Sequence, residues 1–228
     1  FSVPLLLLAI DQLERRLWKT MIALLLVTLT AKEDLAIVIA PLGVWLCLTS
    51  WWQQRKHRRE GAVTGNSDER RAMIIGAAMA VLASLYLFLA VKVLIPWFRE
   101  GEVVHYARYF SRFGETPSEI VITMLTRPGL LLGEFLTLGT LLYALRVLVP
   151  LGGTPLLSPS RQLVGAPLFL LLCLNELAQE TPAPVHHFHA PLLPIVFWAA
   201  AAGLPNVARC LKWIPWSLLA RQPGVLTA

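Results

Sequence analysis

Charge is scarce in this chain. Asp, Glu, Lys and Arg make up 15% of its residues and apolar types 56%. A soluble domain carries about 25% charge, so the composition excludes an ordinary soluble fold and implies a membrane protein. Cysteine is scarcer still. Cys47, Cys173 and Cys210 are odd in number, far apart, and lie in or beside apolar segments. That argues against a disulfide framework or a zinc site and leaves them as small packing residues. There is no Gly-rich phosphate loop, no Ser-His-Asp set and no Cys pair at a useful spacing. There is no internal repeat, which ranks a repeat-built transporter last among the functional classes. The first residues, Phe1–Ile10, have no basic n-region and no small-residue cleavage pattern, so they do not read as a signal peptide. They read as the end of a helix, with an N-terminal portion of a larger membrane protein expected before them.

What the chain has is long apolar runs. The most telling is Leu24–Trp52, broken once, by Lys32-Glu33-Asp34. Each such charge in hydrocarbon costs about 2.5–3.5 kcal/mol on insertion scales. The triplet is therefore expected at an interface or in a wet cavity, as the turn between two short membrane helices. Net charge is +6, and much of the excess sits in Arg55-Lys56-His57-Arg58-Arg59 with Arg70-Arg71 behind it. This reads as a cytoplasmic loop obeying the positive-inside rule. No aromatic interleaving or nucleic-acid module accompanies it, so no nucleic-acid partner is expected.

Taken in order, Val3–Ile10, Trp18–Ala31, Leu35–Trp52, Ala72–Trp97, Leu130–Val149, Leu163–Leu177 and Leu192–Leu204 give about seven membrane helices, several of them short. Leu211–Leu219 reads as an interfacial or partial helix. Thr116-Pro117-Ser118-Glu119 has the form of a capped helix start, followed by Ile120, Val121, Met124 and Leu125 on one face. That predicts a short external helix lying on the membrane surface. The fold class is all-α, a polytopic transmembrane helix bundle forming a single domain over residues 1–228, placed in a bacterial inner membrane.

This topology gathers the notable polar residues on the external side: Lys32, Glu33 and Asp34, then His105, Tyr106, Arg108, Tyr109 and Arg112, then Glu176, Glu180, His186, His187 and His189. Lys32 can offer a cation to a lipid phosphate while Glu33 or Asp34 orients it or helps hold a divalent metal; a plain solvated turn is the alternative. His186, His187 and His189 can contact phosphate or sugar, or join a metal with ligands from elsewhere, or form a polar interfacial loop. The candidate lipid-phosphate and substrate-binding set is Lys32, Glu33, Asp34, Arg112, His186, His187 and His189. The turn at Lys32–Asp34 and the loop at His186–His189 are expected to approach each other. Small-residue faces at Gly129 and Gly133, or Gly76, Ala77 and Ala80, offer packing surfaces for other membrane subunits.

The motifs LTAKEDLAI, YFSRFGETPSEIV, VPLGGTPLLSPSR and HHFHAPLLPIV, in that order, resemble a family of uncharacterised bacterial and archaeal membrane proteins. The resemblance covers about Leu5 to Leu204. That family looks related to the GT-C class of integral-membrane glycosyltransferases, which take sugar from a polyprenyl-phosphate carrier. The resemblance implies a supporting role for Lys32 and the His-rich segment around a lipid-phosphate and sugar cavity. The catalytic acidic residue of that class stands in an external loop after the first helix, so no catalytic residue is assigned here.

Overall fold

The computed structural model describes residues 2–59, 66–98, 109–176 and 187–211. Among them there is helix and turn, and no strand. The expectations for His105, Tyr106, Arg108, Glu180 and His186 lie outside the described residues, as does most of Leu211–Leu219.

Helix α1 (Ser2–Glu14) and helix α2 (Trp18–Ala31) pack along one another. The reversal between them is tight. Arg16 takes a left-handed φ of 58°, its N–H donates to the Leu13 carbonyl at 3.0 Å, and the Leu17 N–H donates to the Gln12 carbonyl at 2.9 Å. This pair of bonds is a Schellman closure, which glycine usually provides. Lys32 then turns extended (φ −167°, ψ 141°) and ends α2; Glu33–Leu35 form one 3-10 turn. Helix α3 (Ala36–Arg59) packs on the helices at Asn66–Leu89 and Pro159–Leu174 rather than lying beside α2 as in a simple hairpin.

The sequence reading ended this helix near Trp52 and made Arg55–Arg59 a loop. Instead α3 runs without a break through the basic cluster. Lys and Arg are good helix formers, and cations in a last turn complement the helix dipole. Arg55 also lies 4.0 Å over the Trp51 ring. At 24 residues α3 is not short.

Helix α4 (Asn66–Leu89) continues through a π turn at Ala90–Leu94 into α5 (Ile95–Phe98). The α3–α4 crossing is set by two glycines. A Cβ added at Gly43 would lie 2.6 Å from the Gly76 carbonyl oxygen and the Ala80 nitrogen; one at Gly76 would lie 2.6 Å from the Gly43 carbonyl oxygen and the Cys47 nitrogen. Close backbone approach through small residues is how membrane helices gain packing energy where lipid is as apolar as the protein.

Helix α6 (Pro117–Thr126) starts as its sequence suggests: the Glu119 N–H donates to Thr116 Oγ1 at 3.2 Å, and Glu119 Oε2 accepts from the Thr116 N–H at 3.4 Å. Ile120 and Met124 pack with Phe113 and Leu174, while Val121 and Leu125 are exposed, so the expected apolar face divides between protein and surroundings. The expected membrane helix Leu130–Val149 is broken. Helices α7 (Pro128–Phe135) and α8 (Leu138–Leu148) meet at 57°. The break has a local cause, since Thr137 caps α8 by accepting from the Thr140 N–H at 3.1 Å.

Two 3-10 turns, Val149–Leu151 and Thr154–Leu157, lead through left-handed Gly152 and Gly153 to helix α9 (Pro159–Leu174). The second of these turns lies on α10 (Leu192–Leu211) where it is slimmest, at Gly203, and Asn206 Nδ2 donates to the Leu157 carbonyl at 2.8 Å. The main core joins residues of α1, α2, α3, α4, α8, α9 and α10.

Among the described residues two helical stretches are long and apolar enough to cross a membrane, Glu33–Arg59 and Ser67–Phe98; the bent pair α7–α8 would make a third. Trp18–Ala31, Pro159–Leu174 and Leu192–Val207 are apolar but shorter. Among the described residues the count by length and composition is two or three rather than about seven. The sequence count treated every apolar run as a crossing, and runs of 14 to 16 residues reach only about 21–24 Å as helices.

Candidate functional site at the charged turn

The polar side chains gather at two ends of the bundle. At the end carrying Arg15, Arg16, Lys19 and Arg55–Arg59, here the basic end, they cross-link helices. One oxygen, Glu14 Oε1, accepts from Arg161 Nη2 at 2.9 Å, Arg161 Nε at 3.2 Å and Trp198 Nε1 at 2.7 Å. The Arg161 guanidinium lies 5.1 Å over the Trp198 ring and 5.7 Å over the Trp45 ring, and the two indoles meet edge to face at 4.8 Å. Thus α1, α3, α9 and α10 are tied at one point. Arg16 Nη2 reaches the buried Glu69 carboxylate of α4 at 2.7 Å. None of these residues stood out in the sequence as a candidate. A lone acid or base beside an apolar run, such as Glu14, is the signal that was available.

The far end is built differently. Lys32 Nζ donates to Asp34 Oδ2 at 2.6 Å across the turn. The other Asp34 oxygen, Oδ1, is buried and has no hydrogen-bond donor among the described residues. Leu35 and Ala36, the next residues in the chain, are both buried. His187 lies within electrostatic reach of the Asp34 carboxylate. The charged turn and the His segment are thus linked electrostatically, through Asp34 and His187. Glu33 is half-buried beside them.

His187 and His189 occupy one 3-10 turn, His187–His189, yet serve different surroundings. His187 is exposed. His189 is 1% exposed, its Nδ1 lies 2.9 Å from the Tyr143 hydroxyl, and Tyr143 stacks on Phe169. His189 is therefore part of a buried aromatic cluster that fixes the turn. Among the described residues no group of three or more His, Cys, Asp or Glu side chains could hold a metal ion.

Arg112 takes part in a separate polar group. It pairs with Glu134, just before the α7–α8 break, and lies 3.8 Å from Glu176, which also accepts from Ser111 Oγ at 2.7 Å. Thr140 Oγ1 donates to the Glu134 and Cys173 carbonyls at 3.2 and 3.3 Å. This group holds α7, α8 and α9 together at the bend.

A family profile described as "Predicted membrane protein (DUF2079)" matches residues 1–219. The chain belongs to the DUF2079 family. It is a membrane protein with apolar helices, in agreement with its composition. Neither the comparison with curated proteins nor that with solved structures finds a match. For this DUF2079 protein the site must therefore be argued from its own geometry. At the charged turn Lys32 spends one of its three N–H donors on Asp34, and Asp34 Oδ1 has an acceptor site open among the described residues.

Proposed function

We propose that this chain is part of a GT-C-like integral-membrane glycosyltransferase, or a non-catalytic relative of one, that holds a polyprenyl-phosphate sugar at the Lys32–Asp34 turn. On this reading the basic end faces the cytoplasm of a bacterial inner membrane, as the positive-inside rule requires, and the turn faces outward. Counting α1 and the short apolar helices as crossings restores about seven. The observation that carries the reading is the Lys32–Asp34 pair itself. It is local, it joins no two helices, and it sits beside buried apolar residues where charge is unfavourable. A phosphate on Lys32 would be a charge-assisted contact, strengthened by its half-buried surroundings.

In such a transfer the acceptor hydroxyl attacks the anomeric carbon, the bond to the carrier phosphate breaks, and the phosphate departs with the electron pair. Lys32 would stabilise the charge that develops on that phosphate. The proton of the acceptor needs a base that is not assigned in this chain.

The test is binding of polyprenyl phosphate to the purified protein in lipid nanodiscs, followed by native mass spectrometry. Lys32→Ala should weaken binding about tenfold or more, since a hydrogen bond to a charged group contributes about 1.5–3 kcal/mol; Lys32→Arg should retain most of it. Unchanged binding in Lys32→Ala would return the triplet to a plain turn.

A second reading, a membrane subunit that packs against other chains, is favoured by one feature. A Cβ added at Gly129 or Gly133 would meet nothing within 4 Å, so this small-residue face of α7 is open among the described residues. Gly133→Leu leaving co-purifying partners and oligomeric state unchanged would count against it.

A further inference from the structure

The depth of the charged turn can be read from helix register. Helices α3 and α4 run antiparallel and meet where Gly43 faces Gly76 and Ala80. Asp34 precedes Gly43 by nine residues in sequence. The same distance along α4, beyond the midpoint of Gly76 and Ala80, ends near Leu87. An independent contact agrees. Tyr86 of α4 donates its hydroxyl to the Leu29 carbonyl at 3.2 Å, one turn of α2 before Lys32. The charged turn also touches α4 directly.

Yet α4 does not end there. With its π turn and α5 it continues to Phe98, about 15 Å further at helical rise. This overhang is apolar except for Lys92. Val93 and Leu94 are exposed, and Trp97 and Phe98 are 80% and 82% exposed. Apolar side chains that no described residue covers need lipid, and Trp favours the edge of the hydrocarbon. The bilayer must then rise well above the level of Lys32 and Asp34. Across the gap, α6 ties the overhang to the end of α9: Lys92 Nζ donates to Ser118 Oγ at 3.0 Å, and Ile120 packs with Leu174.

We propose that Lys32, Asp34 and His187 form a polar recess sunk into the outer leaflet, below the headgroup plane. Its ligand is a phosphate that arrives already anchored in the bilayer and carries a hydroxyl close to the phosphate. A water-soluble anion does not fit this placement, because it would have to cross the lipid-facing level of Trp97 and Phe98. The donor and acceptor inventory matches the class. Lys32 has N–H donors left for phosphate oxygens, and the buried Asp34 Oδ1 accepts the hydroxyl proton donor it lacks among the described residues. This rests on the lipid-phosphate reading for the ligand, but the depth stands on the register alone.

Two measurements separate the parts. First, bimane is attached at Glu33→Cys or at Trp97→Cys, with the native cysteines replaced by alanine, in nanodiscs containing lipids nitroxide-labelled either on the headgroup or on the acyl chain. The ratio of acyl-chain to headgroup quenching should be higher at position 33 than at position 97. An equal or reversed ratio overturns the recess and leaves the lipid-phosphate reading standing. Second, a polyprenyl-phosphate sugar and inorganic phosphate are compared as ligands of the unmodified protein. Binding of the lipid form alone, lost in both Lys32→Ala and Asp34→Ala, supports the proposal. Equal binding of inorganic phosphate overturns it. A deep position 33 with neither phosphate bound overturns the ligand class here and the lipid-phosphate reading with it.

Discussion

At the basic end of the bundle, charged and polar side chains join residues far apart in the chain. Arg161 and Trp198 reach Glu14 across 147 and 184 residues, and Arg16 reaches Glu69 across 53. At the far end Lys32 pairs with Asp34, two residues away. The difference is one of purpose. A contact between distant segments restrains the fold and repays the desolvation of its charges in chain order. A pair two residues apart restrains almost nothing, and in half-buried surroundings its attraction is largely offset by the desolvation of its charges. Charges that sit near the apolar core without serving the architecture are the ones to suspect of serving a ligand.

The largest expected effect breaks both ends at once. Gly43 and Gly76 set the α3–α4 register that carries the charged turn at one end and Glu69 at the other. Gly76→Val would place its Cβ against backbone atoms of Cys47 and Gly43 at 2.6 Å, which no side-chain rotation relieves. A loss of about 3 kcal/mol or more is expected, at the upper end for overpacking. It should appear as collapse of the monodisperse peak in size-exclusion chromatography after mild heating. A normal profile would mean the two helices can slide apart, and the register argument for the recess would fail too.

Next comes the cross-link itself. Glu14→Ala removes the oxygen on which Arg161 and Trp198 converge. A loss of about 2–3 kcal/mol is expected from a charged acceptor shared by several donors in a partly exposed site. Unfolding of the purified protein, followed by Trp fluorescence, reports it, since Trp45 and Trp198 lie in the cluster. Against this, Lys32→Ala should lower the unfolding free energy by less than about 1 kcal/mol. If Lys32→Ala proves as destabilising as Glu14→Ala, the contrast between the two ends is lost.

Much of this contrast was visible in the sequence, and the part that was not has a physical explanation. Local signals read well. The Thr116–Glu119 cap forms because both of its bonds lie within three residues, and the break at Lys32–Asp34 follows from three adjacent charges. The run through Arg55–Arg59 was misread because a cluster of charge suggests a loop, although each of its Lys and Arg residues favours helix. The bend at Leu136–Thr137 depends on a threonine cap that an apolar run conceals. The Glu14–Arg161–Trp198 knot was out of reach for a different reason: its members belong to three helices, and no spacing along the chain reveals which helices will touch.

The smallest net effect belongs to Arg16, where two terms oppose each other. Its backbone is left-handed, φ 58°, a region that disfavours any residue with a Cβ by about 1–2 kcal/mol. Its guanidinium reaches the buried Glu69 at 2.7 Å. Arg16→Gly relieves the backbone but leaves Glu69 without that partner, so its stability should fall within about 1 kcal/mol of the parent. Arg16→Ala loses the ion pair and keeps the unfavourable backbone, so it should be the less stable of the two variants by about 1 kcal/mol. That gap isolates the backbone term. Adding Glu69→Gln to the parent and to the Arg16→Gly variant then isolates the ion pair as a coupling energy. If the alanine and glycine variants unfold at the same midpoint, the left-handed closure of α1 does not carry the strain assigned to it. If the coupling to Glu69 is absent, Arg16 does not belong with the architectural charges of the basic end, and that end would rest on Glu14 and Arg161.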